Sequence, residues 1–233
     1  MKRFVLAISC SLLLCANLYA ETSKSMILDR MVEVYGGGEA LSKAASYIQK
    51  WRVVRAADGV EGSDYRRVTL PDRLYIELRY PDRSETRILE GEVGIKIYNG
   101  SGKRQVSGPM LDAMKAQLMR LYTPLQLKEF SDDIRVKHKE GEYILTLVKG
   151  GVECDYHVDP KNFHIVKTVG RLKMGPQTMQ FVTFYKDFSK VDGVLMPHTE
   201  IKYAGNVNTA TNYLLSTKFV KIKKVGEHRY KRI

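Results

Sequence analysis

Cysteine is nearly absent from this chain, with three among 233 residues, and Cys10 and Cys15 both fall in an N-terminal stretch that reads as removable. Cys154 is then the only thiol left, which excludes an internal disulfide. Catalytic signatures are missing as well. His138, His164, His198 and His228 lack zincin spacing, and no Gly-x-Ser-x-Gly nucleophile elbow occurs. Gly36-Gly37-Gly38 follows a helical pattern and reads as a helix stop rather than a phosphate cradle. Cys154 lies between Glu153 and Asp155, neighbours that disfavour a thiolate. Linkers, repeats and low-complexity tracts are also lacking, so one domain is the expectation. These absences argue against an enzyme and imply no cofactor and no metal.

What is present begins with an address. Lys2 and Arg3, an apolar run over residues 4–14, then Leu18-Tyr19-Ala20 and a polar Glu21-Thr22-Ser23 fit a secretory signal peptide cut after Ala20. The run falls short of the about 20 apolar residues that a membrane-spanning helix needs, so an anchor helix is the minority reading. Leu14 before Cys15, and the early position of Cys10 after Ser9, make lipoprotein anchoring the weaker alternative. The domain assignment is residues 1–20 as signal peptide and 21–233 as one domain, and removing 20 of 233 residues leaves 213. A chain of that size buries a core without covalent staples. The net charge of +12 drops to about +10 without Lys2 and Arg3, and in a periplasmic setting the excess suits anionic lipid rather than nucleic acid.

Hydrophobic periodicity places an amphipathic helix at 25–35 with Ser23 or Ser25 as cap, and a short turn of helix at 39–45. From residue 47 the texture becomes β-branched and aromatic, broken every eight to twelve residues by turns such as Pro71-Asp72, Gly91-Glu92 and Asn99-Gly100. Strands are expected at 47–56, 63–70, 73–80, 84–90 and 93–99, each pairing with its neighbour. Residues 109–122 interrupt them with a Met/Leu stripe behind Pro109, a second short helical piece follows Pro124, and seven more strands run from 134 to 224. Leu74, Ile76, Leu78 and Tyr80 alternate with polar residues, as on a sheet with one wet side. The segments 143–148 and 179–188 read as apolar on both faces. An α+β fold follows: a large antiparallel sheet of about a dozen strands, curled into a half-barrel, with the N-terminal and mid-chain helices covering its concave face.

The order of several loose motifs resembles the periplasmic lipoprotein-carrier superfamily of LolA, LolB and RseB, and its outer-membrane lipoprotein-sorting-like group in particular. Ile27-Leu28-Asp29 through Tyr35-Gly36-Gly37, Leu70-Pro71-Asp72-Arg73, Tyr98-Asn99-Gly100, Val158-Asp159-Pro160 and Asp192-Gly193-Val194-Leu195-Met196-Pro197 carry the resemblance. It implies an eleven-stranded half-barrel, a LolA-like domain over 21–233, that holds lipoprotein acyl chains and carries them from inner to outer membrane. The partners so implied are lipid or lipoprotein acyl chains, with an inner-membrane transporter or outer-membrane acceptor, and the protein would act as a monomer. An RseB-like sensor of envelope lipid or lipoprotein state is the alternative.

Candidate cavity lining is Met110, Met114, Leu118 and Met119 on the middle helix, since methionine adapts to variable ligands, with Phe181 and Phe184 from a later strand. Arg66, Arg67, Arg73, Arg79 and Arg87 crowd strands two to four and suit an anionic head group or membrane face. Glu153, Asp155, His157 and Asp159 share one strand face at two-residue spacing. Ligands so spaced lie about 6–7 Å apart, too far to coordinate one small ion. A secreted hydrolase or metal enzyme is therefore the weakest alternative.

Overall fold

The computed structural model describes residues 23–221. The expected signal peptide and the basic tail lie outside the described residues. Helix α1 (Lys24–Val34) starts where the Ser23 side chain accepts from the Met26 amide at 3.2 Å, which satisfies one of the free donors at a helix start. Ile27, Leu28 and Met31 form its buried face. It stops at Gly36, where φ is +120° and a Cβ would fall 2.3 Å from the Gly193 carbonyl oxygen, so only glycine fits. Helix α2 (Gly37–Lys43) follows.

Six strands come next: β1 (Ser46–Arg55), β2 (Glu61–Thr69), β3 (Arg73–Tyr80), β4 (Arg83–Glu90), β5 (Val93–Tyr98) and β6 (Ser101–Val106). Two helices, α3 (Pro109–Met119) and α4 (Pro124–Glu129), separate them from seven more. These are β7 (Ile134–Lys139), β8 (Glu142–Lys149), β9 (Val152–Val158), β10 (Ile165–Met174), β11 (Gln177–Val191), β12 (Val194–Ala204) and β13 (Val207–Phe219). All thirteen join in one antiparallel sheet, ordered β6-β5-β4-β3-β2-β1-β13-β12-β11-β10-β9-β8-β7.

The strand order explains the helices. The chain meanders outward from β1 to one edge at β6, and it must cross the whole sheet to start β7 at the other edge. Helices α3 and α4 make that crossing, and α3 packs on β9 and β10 at one side and on β4 and β5 at the other. Small residues let it lie close: a Cβ on Gly94 would meet Leu111 Cδ1 at 2.9 Å, and one on Gly170 would meet Ala116 Cβ at 3.4 Å. The meander then returns until β13 closes against β1, Tyr47 opposite Phe219 and Arg55 opposite Ala210.

The curled antiparallel sheet with helices on one face is the expected class, and the neighbour-to-neighbour pairing of β1 to β5 is as expected. The strand count is larger than expected. The extra strand is β6, an edge strand whose side chains are exposed except Val106. Nor are the two doubly apolar segments buried on both faces, because Val148 and Phe184, which alternate with inward-facing residues, are exposed.

Candidate functional site

Beneath the C-terminal end of α3, the concave face of the sheet leaves a cavity of about 290 Å³. Period-two alternation decides what faces it. In β2, Asp64 and Arg66 turn inward and are buried, while Arg67 turns out and is exposed. In β12, Glu200 and Lys202 face the same space, and Asn212 stands opposite Glu200 on β13. Val53, Ile76, Leu78 and Phe181 supply apolar wall, and Gln117, Arg120 and Leu121 close it from above.

Its floor is a buried ionic network. Arg66, 2% exposed, donates Nη1 and Nη2 to the two carboxylate oxygens of Glu200 at 2.8 and 2.7 Å, and Nε and Nη2 to Asp64 Oδ2 at 3.0 and 2.8 Å. Asn212 Nδ2 donates to Asp64 Oδ2 at 3.1 Å, and Lys202 Nζ stands 3.3 Å from Glu200 Oε2. Arg66 and Glu200 sit on strands three places apart, about 14 Å along a flat sheet, so the curl is what brings them together. The Arg66 guanidinium lies 4.7 Å over the ring of Trp51, whose Nε1 donates to Gln49.

Burial alone would pull the Arg66 guanidinium down, but Asp64 and Glu200 reverse that and hold it well above the ordinary arginine value. Burial would likewise raise Glu200, yet Arg66 and Lys202 bring its carboxyl down to about 2. The pair is thus charged at neutral pH. Lys202 is pulled below the ordinary lysine value, first by burial and then by repulsion from Arg66.

A second, smaller cavity of about 90 Å³ lies toward α1 and α2, lined by Tyr35, Leu41, Trp51, Ile165 and Met196 among others. The two cavities share Arg120, Leu121, Tyr185 and Glu200 in their walls.

The expected site residues are placed unevenly. Phe181 lines the larger cavity. Met114, Leu118 and Met119 belong to the buried core under α3, while Met110 and Phe184 are each 38% exposed. Neither cavity described is walled by any of these five, because the methionine stripe packs onto the sheet and leaves the last turn of α3 over open space. Of the arginines, Arg67, Arg73 and Arg79 are exposed. Arg66 and Arg87 face the cavity instead. Arg87 is half-buried and donates to Glu85 and, through Nη1, to Gln117 Oε1 at 3.0 Å.

Sequence reasoning did not bring Asp64, Arg120, Glu200, Lys202 and Asn212 together. The one available signal was parity: Asp64, Arg66 and Val68 alternate with the outward Tyr65 and Arg67.

The acidic constellation on β9 is absorbed in pairs on the outer face. His157 Nδ1 lies 2.8 Å from Glu142 Oε2, Arg171 bridges Glu153 and Asp155 at 2.8 and 2.5 Å, and Asp159 Oδ1 accepts from the Lys161 amide in the turn. Among the described residues no cluster suited to a metal ion occurs. Burial pushes the Cys154 thiol up to about 12.

No family model matches the chain, and no curated protein matches its sequence. Among solved structures, a LolA superfamily protein from Nitrosomonas europaea is similar at 14% identity and a TM-score of 0.53, over 86% of this chain and 95% of that one. A DUF1329 family protein from Desulfovibrio piger aligns at 13% identity and 0.49, over 87% and 92%. A domain named for outer membrane lipoprotein sorting, from Vibrio parahaemolyticus, aligns at 10% identity and 0.48, over 86% and 95%. Among the described residues, no helix is long and apolar enough to cross a membrane. Open sheet, crossing helices and structural likeness agree, and the chain has the fold of the LolA superfamily.

Proposed function

We propose that this protein is an exported, non-catalytic carrier that binds the acyl part of a lipid or lipoprotein and moves it through the periplasm between the inner and outer membranes. The observation that carries the reading is the cavity of about 290 Å³ between α3 and the concave sheet, apolar along Val53, Ile76, Leu78 and Phe181 and with more cations than carboxylates in the rest of its wall. Each buried methylene contributes about 0.8 kcal/mol, so about six of them give roughly 5 kcal/mol and a dissociation constant of a few tenths of a millimolar. Such modest affinity suits a carrier that must release. The signal peptide expected at residues 1–20 supplies the compartment, with the mature chain acting as a single domain and a monomer. An inner-membrane donor and an outer-membrane acceptor are the partners this role requires.

Native mass spectrometry of protein purified from its own periplasm without delipidation tests the reading. Lipid-sized adducts that disappear on organic extraction are the expected result. A bare polypeptide mass, with no uptake from vesicles, would overturn it. Stable lipid uptake without transfer between vesicles would replace the carrier by a sensor that retains its ligand.

A further inference from the structure

The cations of the larger cavity are not equivalent. Arg66 and Lys202 face Asp64 and Glu200, and Arg87 is held by Glu85. Arg83 is exposed and lies 5.5 Å over the Tyr80 ring. Arg120 differs from all of them. It ends α3 half-buried, donates Nε to the Ala116 carbonyl at 3.3 Å and Nη1 to Thr183 Oγ1 at 3.2 Å, and makes no ion pair among the described residues.

Its Nη2 makes no hydrogen bond among the described residues either, and its guanidinium stands 5.9 Å from the Phe181 ring. Gly170 gives the side chain its room, since a Cβ there would lie 3.5 Å from Arg120 Cδ. Gln117, one turn earlier on α3, holds Arg87, so two guanidinium groups are gathered at one end of the cavity.

Burial pulls Arg120 below the ordinary arginine value; the negative field of Glu200 works against that, and the positive field of Arg87 adds to it. A guanidinium partly withdrawn from water without an ion-pair partner is costly. The carbonyl end of α3 offsets part of that cost, and it uses only some of the five donors a guanidinium offers. The wall itself carries five cations, Arg66, Arg83, Arg87, Arg120 and Lys202, to two carboxylates, Asp64 and Glu200, with Glu85 holding Arg87 from outside it.

We propose that Arg120, with Arg87 beside it, forms an anion subsite inside the cavity, so that the ligand is an amphiphile whose head carries an oxyanion, phosphate or carboxylate. This rests on the reading that the cavity holds an acyl chain. A guanidinium presents paired donors to such a head, and the position of Arg120 between the two cavities leaves apolar wall on either side for the tail.

Isothermal titration of the purified mature protein with dodecyl phosphate, dodecanol and inorganic phosphate tests the subsite. The wild type is expected to bind dodecyl phosphate at least tenfold more tightly than dodecanol. Arg120→Met should bind the two within about threefold of each other, the loss falling mainly on dodecyl phosphate, whereas Arg120→Lys should keep part of the preference. A purely structural role for Arg120 would weaken both ligands together.

Equal affinities in the wild type would overturn the subsite and leave acyl binding standing. Failure of both amphiphiles to bind would overturn both readings. Inorganic phosphate binding as tightly as dodecyl phosphate would overturn the amphiphile and assign the site to a free anion. If Arg120→Met does not fold, the wild-type ratio and the Arg120→Lys titration decide the matter.

Discussion

Replacing Arg66 by methionine removes the guanidinium that hydrogen-bonds both Asp64 and Glu200 while keeping an unbranched stem. Both carboxylates are nearly inaccessible, at 4% and 3% exposure, and only the half-buried Lys202 remains within ion-pair reach of them. Breaking a buried pair from one side strands charge and costs about 3–5 kcal/mol. For a chain of about 200 residues, each kcal/mol moves the melting midpoint by about 2–4 °C, so Arg66→Met should melt roughly 6–20 °C below wild type. Far-UV circular dichroism is the proper assay, in urea and in a thermal scan. Fluorescence is not, because Arg66 lies over Trp51, the single tryptophan of the chain, and the substitution alters the probe. Adding Asp64→Asn and Glu200→Gln to Arg66→Met removes the stranded charges and should recover more than half of the loss. A loss below about 1 kcal/mol for Arg66→Met alone would refute the reasoning, since it would mean that water or Lys202 already neutralises the pair.

Acid should expose the same network. The folded Glu200 carboxyl stands at about 2, lowered against burial by Arg66 and Lys202, and its unfolded value is about 4.3. The stability it contributes is therefore present above pH ~4.5 and lost as pH falls toward 2. The urea midpoint should hold from pH 7 to 5 and then drop, and a steep loss between pH 7 and 5 would contradict this. Met114→Ala should cost about 2–5 kcal/mol, because Met114 is 1% exposed in the core; Met110→Ala, on the exposed side, should stay within about 0.5 kcal/mol. Equal costs would show that α3 packs by another face. Cys154, buried and with its thiol pushed up to about 12, should resist an aromatic disulfide reagent in the native state and react across the urea transition. Rapid native labelling would contradict its burial.

Much of this architecture was readable before any coordinates. The strict alternation of Leu74, Ile76 and Tyr80 placed β3, glycine and proline pairs marked the turns, and Pro109 with its apolar stripe marked α3. The edge strand β6, Ser-Gly-Lys-Arg-Gln-Val, escaped because its side chains are solvated and carry no apolar alternation. The site was far less legible. Arg66 and Arg67 look alike in sequence, yet the pleat sends one into the cavity and the other to solvent. Arg66 meets Glu200 across 134 positions of chain, a contact made by curl and closure of β13 on β1 rather than by any local pattern. The methionines of α3 signalled an apolar stripe correctly, but whether a stripe fills a core or walls a cavity depends on where the helix crosses the sheet.

The most direct test of the central claim is a crystal structure of the mature protein isolated from its own periplasm without delipidation. The account predicts continuous density for an acyl chain beneath α3, against Ile76, Leu78 and Phe181, with its head at Arg120. A cavity filled only by water, in crystals of protein whose mass is that of the bare polypeptide, would contradict it.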